Sequence, residues 1–113
     1  MFGWRGKVLV VDVPPTGIME YLNAATGANY TLDELMQAGE RIITAERLFL
    51  SKAGFSRKDD SLPERLTHEP MPAGPAKGMV CHLQEMLDEY YQEQNWTSDG
   101  IPNEKRLKGL GLG

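Results

Sequence analysis

The amino-acid sequence predicts a mainly α-helical fold. We expect a small helical domain of three to four helices, with a long strap rich in proline and glycine and one short N-terminal β-strand. Apolar residues recur at intervals of three and four in three segments, a spacing that places them on one side of a helix. Helix-capping residues stand at the ends of these segments. Between the last two of them, residues 54–80 contain four prolines.

The first segments divide into a strand and a helix. Residues 7–13 form a β-branched run, which predicts one strand that must pair with another segment. Pro15 suits the first turn of a helix, where its missing N–H costs nothing. The predicted helix runs from Pro15 to Thr26, and Gly27 is placed to end it in a left-handed conformation.

The second helix has the clearest pattern. Thr31 and Glu34 form the Thr-x-x-Glu capping box that begins a helix, and Gly54 is placed to end it near residue 53. Gly39 has two interpretations: a tolerated cost of about 1 kcal/mol relative to alanine, or a close approach of another backbone. The apolar face of this helix consists of Leu35, Ala38, Ile42, Ala45 and Phe49, widened by Met36, Ile43 and Leu48.

The strap and the C-terminal part follow. Prolines and glycines indicate that residues 54–80 are irregular, either a strap over the helices or an arm that faces a partner. A third helix is predicted from Leu83 to Gln94. Asn103 is a good N-cap for a last short helix, residues 104–108. The glycine-rich tail, residues 109–113, is expected to fray.

Composition excludes several classes of protein. The chain has 113 residues and a net charge of −4, without the clustered basic face of a nucleic-acid binder. Its longest apolar run, Val8 to Val11, is far shorter than the ~20 residues of a membrane span. The first residues lack the features of a signal peptide. One cysteine excludes an intramolecular disulfide, so we expect a cytoplasmic protein that binds neither nucleic acid nor membrane.

The sequence contains cysteine, histidine and glycine residues, but their spacing does not match a metal site, a catalytic dyad or a phosphate-binding loop. Cys81 and His82 are neighbours and His68 stands thirteen positions before Cys81, whereas structural zinc needs four ligands. A Cys–His dyad requires groups that face each other across a cleft, which adjacent residues rarely do. The terminal glycines are not followed by a helix, so they do not form a phosphate loop.

Carboxylates and aromatic residues also have structural interpretations. Asp59-Asp60 follows two basic residues, which indicates a solvated cluster of ion pairs. Asp88-Glu89 belongs to the acidic outer face of the third helix. Core and edge packing is the better interpretation of the aromatic residues Tyr90, Tyr91 and Trp96, because no basic residue alternates with them. We therefore predict no catalytic, no cofactor-binding and no metal-binding residue in this chain.

A series of short motifs adds a specific resemblance. These motifs are AATG at 24–27, TLDEL at 31–35, GERI at 39–42, ERLF at 46–49, GFSRKDDSLPER at 54–65, GPAKG at 74–78, EMLDEYY at 85–91 and GIP at 100–102. In this order they resemble the C-terminal helical domain of the tungsten-containing aldehyde:ferredoxin oxidoreductases. The opening string, MFGWRGKVLVVD at 1–12, resembles the extreme N-terminus of the same family. The resemblance implies an N-terminal strand segment, residues 1–13, joined to a helical domain, residues 14–113, with the middle of the family sequence missing.

The resemblance implies the family's reaction but not its cofactor-binding residues. Family members oxidise aldehydes to carboxylic acids and pass electrons to ferredoxin, using a tungstopterin and a [4Fe–4S] cluster. The cluster needs four cysteine thiolates, and none of the family's ligands maps onto this chain. Cys81 falls where the family usually has an ordinary apolar residue, so we do not assign it as a cluster ligand. No cofactor is expected in this chain alone.

Three hypotheses remain open. The chain is a truncated, fragment-like family member that is inactive alone. Alternatively, it is a helical binding or assembly module that docks on a full-length oxidoreductase or an electron-transfer partner. The third hypothesis is a standalone enzyme with unrecognised chemistry. The expected partners are a second copy of the chain, a full-length homologue or, by family resemblance, ferredoxin, because loss of the family's other domains would expose apolar surface.

Overall fold

The computed structural model describes residues 7–8 and 11–113 and confirms the mainly helical fold. The described residues group into two compact units, one that ends at Ile43 and one from Thr44 to Gly113. No helix of the described part combines the length and the apolar character of a membrane span.

The predicted single N-terminal strand is wrong, because the structure has a pair of short strands there. β1 (Lys7–Val8) and β2 (Val11–Asp12) are antiparallel, with Lys7 opposite Asp12 and Val8 opposite Val11. Residues 9–10 of the predicted strand lie outside the described residues. Backbone N–H and C=O groups need partners, and folding back supplies them within the chain.

The first helix is confirmed at both ends. α1 (Pro15–Thr26) has proline at its first position, and Gly27 ends it at φ 71°. After the helix, the side chain of Asn23 holds the backbone of Tyr30: Nδ2 donates to the carbonyl oxygen at 3.0 Å, and Oδ1 accepts from the amide at 2.9 Å. This pair of bonds fixes the turn that leads into the next helix.

The second helix is confirmed together with its capping box. In α2 (Leu32–Lys52), the Thr31 hydroxyl accepts from the amide of Glu34 at 3.2 Å, and the Glu34 carboxylate accepts from the amide of Thr31 at 2.8 Å. Outside the adjacent residues and the neighbouring backbone of α2 itself, no atom of the described residues lies within 4 Å of the Cβ that an alanine would add at Gly39. Within the described chain, therefore, no other backbone packs closely against this glycine.

The C-terminus of α2 turns sharply through a Schellman motif. Gly54 adopts φ 95°, its amide donates to Ser51, and the amide of Phe55 donates back to the carbonyl oxygen of Leu50 at 3.0 Å. The motif connects the backbone of Phe55 to the last turn of the helix and directs the chain into the strap.

The prediction that residues 54–80 lack regular structure is wrong at two points. A 3₁₀ turn covers Arg57–Asp59, and α3 (Glu64–Thr67) begins directly after Pro63. The rest is irregular. It is closed on itself by the amide of Met71, which donates to Met79, and by the amide of Gly78, which donates to Met71.

The last two helices are confirmed. They are α4 (Leu83–Glu93) and α5 (Glu104–Gly109), and the Asn103 side chain accepts from the amide of Arg106 at 2.8 Å as the N-cap of α5. The prediction that the tail frays is wrong at Leu110, which is only 4% exposed. The amide of Leu112 donates to the carbonyl oxygen of Leu107, which holds the tail against the helix end.

Buried positions in the described chain are few and concentrated in the second unit. They are Thr44, Arg47, Tyr91, Gly100, Pro102 and Leu110. One of the six is a charged side chain, which is uncommon because burial of an unpaired charge is costly. The interior of this unit is therefore organised around an arginine.

Candidate functional site

Arg47 on α2 is the centre of the buried cluster. Its two terminal nitrogens donate to both oxygens of the Asp60 carboxylate, at 2.8 and 2.6 Å, and Nε donates to the carbonyl oxygen of Gly100 at 2.6 Å. The bidentate geometry gives short, charge-assisted bonds of fixed direction. Through one guanidinium, α2 is connected to the segment after the 3₁₀ turn and to the loop before α5.

Tyr91 completes the shell around the Asp60 carboxylate. The phenol of Tyr91, which is only 3% exposed, donates a short hydrogen bond to the carboxylate oxygen that also accepts from Arg47. The guanidinium carbon of Arg47 lies 5.9 Å from the centre of the Tyr91 ring and 5.4 Å from that of Trp96. These are cation–π distances, so the aromatic rings add to the stabilisation of the buried charge.

Gly100 is positioned by a tight loop between α4 and α5. The amide of Thr97 donates to the carbonyl oxygen of Ile101 at 2.8 Å, and the amide of Gly100 donates to that of Thr97 at 2.8 Å. Gly100 has φ 73°. A Cβ there would lie 2.7 Å from Cζ of Tyr91 and would also collide with the guanidinium of Arg47. The cluster therefore requires glycine for two independent reasons, backbone conformation and space.

A second arginine connects the 3₁₀ turn to α4. Arg57 donates to the Asp88 carboxylate at 2.5 Å and to Oε1 of Gln84 at 2.9 Å, and its amide donates to the carbonyl oxygen of Asp99 at 2.9 Å. The Asp88 side chain is 60% exposed, so solvent screens this ion pair. The guanidinium carbon of Arg57 lies 5.5 Å from the centre of the Tyr91 ring.

A cleft of about 440 Å³ opens beside the cluster. Its lining includes Arg47, Asp60, Leu83, Leu87, Tyr91 and Trp96. Tyr90 also lines it and packs edge-on against Trp96, with ring centres 5.4 Å apart. The packing confirms the structural interpretation of these aromatic residues.

The charges in the cluster are held in fixed protonation states. Burial works to raise the pKa of Asp60, but hydrogen bonds from Arg47 and Tyr91 and the neighbouring positive charges outweigh it and lower the pKa. Burial, followed by the hydrogen bond to Asp60, raises the pKa of Tyr91 to about 12. A general acid or base works best with a pKa near the operating pH. Neither group meets this condition at neutral pH, so the arrangement favours structure over proton transfer.

Comparison with known proteins identifies the family. The family model described as "Aldehyde ferredoxin oxidoreductase, domains 2 & 3" matches residues 2–112. The chain belongs to the aldehyde ferredoxin oxidoreductase family. A tungsten-containing aldehyde ferredoxin oxidoreductase from Pyrococcus horikoshii is 51% identical over 94 residues, which are 82% of this chain and 16% of the relative.

Two further relatives match this chain over a similarly small part of their length. The tungsten-containing aldehyde ferredoxin oxidoreductase of Pyrococcus furiosus is 50% identical over 95 residues, again 82% of this chain and 16% of the relative. The "Aliphatic sulfonate oxidoreductase, WOR-like subunit" of the same organism is 37% identical over 105 residues, which are 17% of its length. The chain thus spans about a sixth of the length of the relatives it matches.

The two carboxylate pairs, Asp59-Asp60 and Asp88-Glu89, have different surroundings in the structure. The solvated-cluster interpretation is wrong for Asp60, which binds the buried Arg47. Asp59 is exposed, and its carboxylate accepts from the amide of Ser56 in a capping box. Asp88 and Glu89 are both exposed, as predicted for the outer face of α4.

The cysteine and the two histidines, for which the sequence predicts no metal or catalytic role, lie outside the Arg47 cluster. Cys81 is half-buried, with Sγ 3.8 Å from Sδ of Met86, and His82 beside it is exposed. His68 lies next to Thr67, with Nδ1 2.8 Å from the hydroxyl. Among the described residues, no group of three or more histidine, cysteine, aspartate or glutamate side chains is arranged to hold a metal ion.

Arg47 and Gly100 are not among the residues for which the sequence predicts a role. Thr44, Arg47 and Ser51 recur at intervals of three and four, so one side of α2 carries them together. This spacing is the sequence signal for the buried side of α2. The signal is weak because these residues are polar and the apolar residues occupy another side of the same helix.

We predict that Gly100→Ala lowers the free energy of unfolding by about 2–4 kcal/mol, since alanine meets both the left-handed backbone penalty and overpacking. Urea unfolding followed by circular dichroism measures this. Gly109→Ala is the matched control, because outside the adjacent residues and the backbone of α5 itself no described atom lies within 4 Å of its added Cβ. We expect it to change stability by less than about 1 kcal/mol. Equal losses in the two variants would contradict the packing described for Gly100.

We predict greatest stability between about pH 4 and pH 10. The pKa of Asp60 is lowered from 3.8, so its contribution is present above that pH and is lost as the pH falls below it. The pKa of Tyr91 is raised from 10.0 to about 12, so its contribution is lost as the pH rises through that interval.

Urea titrations at a series of pH values measure this profile. The Asp60→Asn variant should lose a part of the acid dependence, whereas Glu89→Gln, an exposed change on α4, should keep all of it. An identical acid limb in the Asp60→Asn variant and the unmodified chain would contradict the assignment.

Proposed function

We propose that this chain is the helical part of an enzyme that oxidises aldehydes to carboxylic acids and passes the electrons to ferredoxin. In this proposal the chain supports catalysis by the remaining part of the family fold and is inactive alone. We place the protein in the cytoplasm, because its single cysteine fits a reducing compartment.

One observation carries the proposal: the chain matches its relatives strongly but over a small part of their length. Identity of 51% over 94 residues indicates common ancestry, while the matched segment is 16% of the relative. The named relatives are tungsten-containing aldehyde ferredoxin oxidoreductases. Their reaction is therefore the one that we assign to the larger assembly.

The residues of this chain do not fit a [4Fe–4S] cluster. A [4Fe–4S] cluster needs four thiolates, and Cys81 is the single cysteine of the sequence. Tungstopterin and the cluster are accordingly proposed to be held by the part of the fold that this chain does not contain.

The buried cluster supports the same conclusion. Both oxygens of Asp60 are engaged by Arg47, and one of them also accepts from Tyr91. A carboxylate with a lowered pKa that accepts three hydrogen bonds, from α2 and from α4, is suited to hold three segments together. The cluster therefore stabilises the scaffold and takes no part in the reaction.

We predict that the purified chain does not reduce a viologen dye when an aldehyde is added. Metal analysis should find neither tungsten nor iron at stoichiometric amounts, because one cysteine cannot supply the four thiolates of the cluster and we propose that the tungstopterin is held elsewhere in the fold. The aldehyde ferredoxin oxidoreductase of Pyrococcus furiosus, assayed with the same aldehyde and dye, is the positive control. Aldehyde-dependent turnover by this chain alone would contradict the proposal.

A further inference from the structure

The first compact unit buries no residue from position 13 to its end at Ile43. Each residue of this range is exposed or half-buried, and Tyr21 on α1 is 76% exposed. The six buried positions of the described chain all lie from Thr44 onward. Because burial of apolar surface is the main favourable contribution to folding, this unit gains little stability of its own.

The first helix also lacks local features that stabilise a short helix. α1 has 12 residues, and isolated helices shorter than about 12–15 residues are marginal in water. No side chain caps its first amides, no acidic residue stands in its first turn and no basic residue stands in its last turn. The helix therefore gains nothing from a side-chain cap at its start or from charges that complement its dipole.

The second helix crosses the boundary between the two units, and its two parts are held differently. In the C-terminal part of α2, Thr44 and Arg47 are buried, and Arg47 is paired with Asp60. Residues 32–43 bury no side chain and include Gly39, which weakens a helix interior. Since helical hydrogen bonds are lost turn by turn from an end, α2 can open as far as this boundary while Arg47 stays in place.

Two hydrogen bonds connect the end of α1 to the start of α2. The Asn23 side chain, in the last turn of α1, donates to and accepts from the backbone of Tyr30. Tyr30 directly precedes Thr31, whose amide and hydroxyl form the capping box of α2. Opening of α1 therefore removes support from the residue before the capping box, which favours opening of both segments in one step.

We propose that residues 13–43 form an order–disorder element, which opens and refolds as one unit while the cluster around Arg47 stays folded. The division falls inside α2, between Ile43 and Thr44. Proteins open in such cooperative units, and those with few buried apolar contacts open at the lowest free energy. The element makes this part of the backbone reversibly accessible while the second unit stays folded. This behaviour belongs to the chain itself and does not depend on the proposed function.

Hydrogen exchange of the full chain, followed by mass spectrometry of peptides from α1 and α4, tests the proposal. The measurements are made under conditions in which the exchange rate reports the population of the open form. After division by the intrinsic rates of unfolded peptides, we expect exchange in α1 to be at least about tenfold faster than in α4. Equal protection of the two helices would overturn the proposal.

The Gly100→Ala variant distinguishes two opening units from one. This change weakens the second unit, so exchange in α4 should become at least about tenfold faster, while exchange in α1 should stay within about twofold of its original rate. The α1 rate is unaffected because α1 opens while the second unit stays folded. Acceleration of both helices by the same factor would reveal a single cooperative unit and contradict the proposal.

The Gly39→Ala variant is the matched change within the element. Outside the adjacent residues and the neighbouring backbone of α2, its added Cβ meets no described atom within 4 Å. Because alanine favours a helix interior, exchange in α1 should slow by about fivefold although the substitution lies in α2. An unchanged rate in α1 would mean that the two segments open separately, which is incompatible with one element.

Low concentrations of urea provide a measurement that needs no variant. The dependence of an opening reaction on denaturant grows with the surface that it exposes. Since residues 13–43 bury little surface, exchange in α1 should rise less steeply with urea than exchange in α4. Equal slopes for the two helices would assign both to global unfolding and refute the proposal, even if the Gly100→Ala variant does not fold.

Discussion

The second unit of this chain is built around the need to pair one buried positive charge. Arg47 is 9% exposed, and a guanidinium in that position is tolerable only with a full set of partners. Asp60 supplies a carboxylate, Gly100 a carbonyl oxygen, and Tyr91 and Trp96 supply ring faces. These partners come from separate segments, so pairing the charge also determines how α2, α4 and the connecting loops are arranged.

The same constraint explains why α2 exposes its apolar side. Because Arg47 and Thr44 point inward, the residues on the other side of the helix have no place in the interior of the unit. Phe49 consequently lies 73% exposed on a helix whose pattern is that of a core element. A buried arginine and an exposed phenylalanine on one helix are understandable together when the chain is one part of a longer family fold, as the 16% coverage of its relatives indicates.

The four longer helices of this fold were predictable because their signals are local. The Thr31–Glu34 capping box, Gly27 and Asn103 each act within a few residues, and the ends of α1, α2, α4 and α5 followed to within about two residues. The Arg47–Asp60 pair was not predictable, because it joins residues whose neighbours in sequence suggested a solvated cluster. Leu110 was missed for a similar reason: a glycine-rich tail resembles a frayed end until long-range packing is known.

The most direct measurement is a double-mutant cycle on Arg47 and Asp60. Free energies of unfolding are measured for the unmodified chain, Arg47→Met, Asp60→Asn and the double variant, with methionine chosen to retain the apolar stem. If this pair organises the second unit, the two changes should couple by about 2 kcal/mol or more, towards the upper end of values for contacting residues. A coupling below about 0.5 kcal/mol, typical of independent sites, would contradict the account.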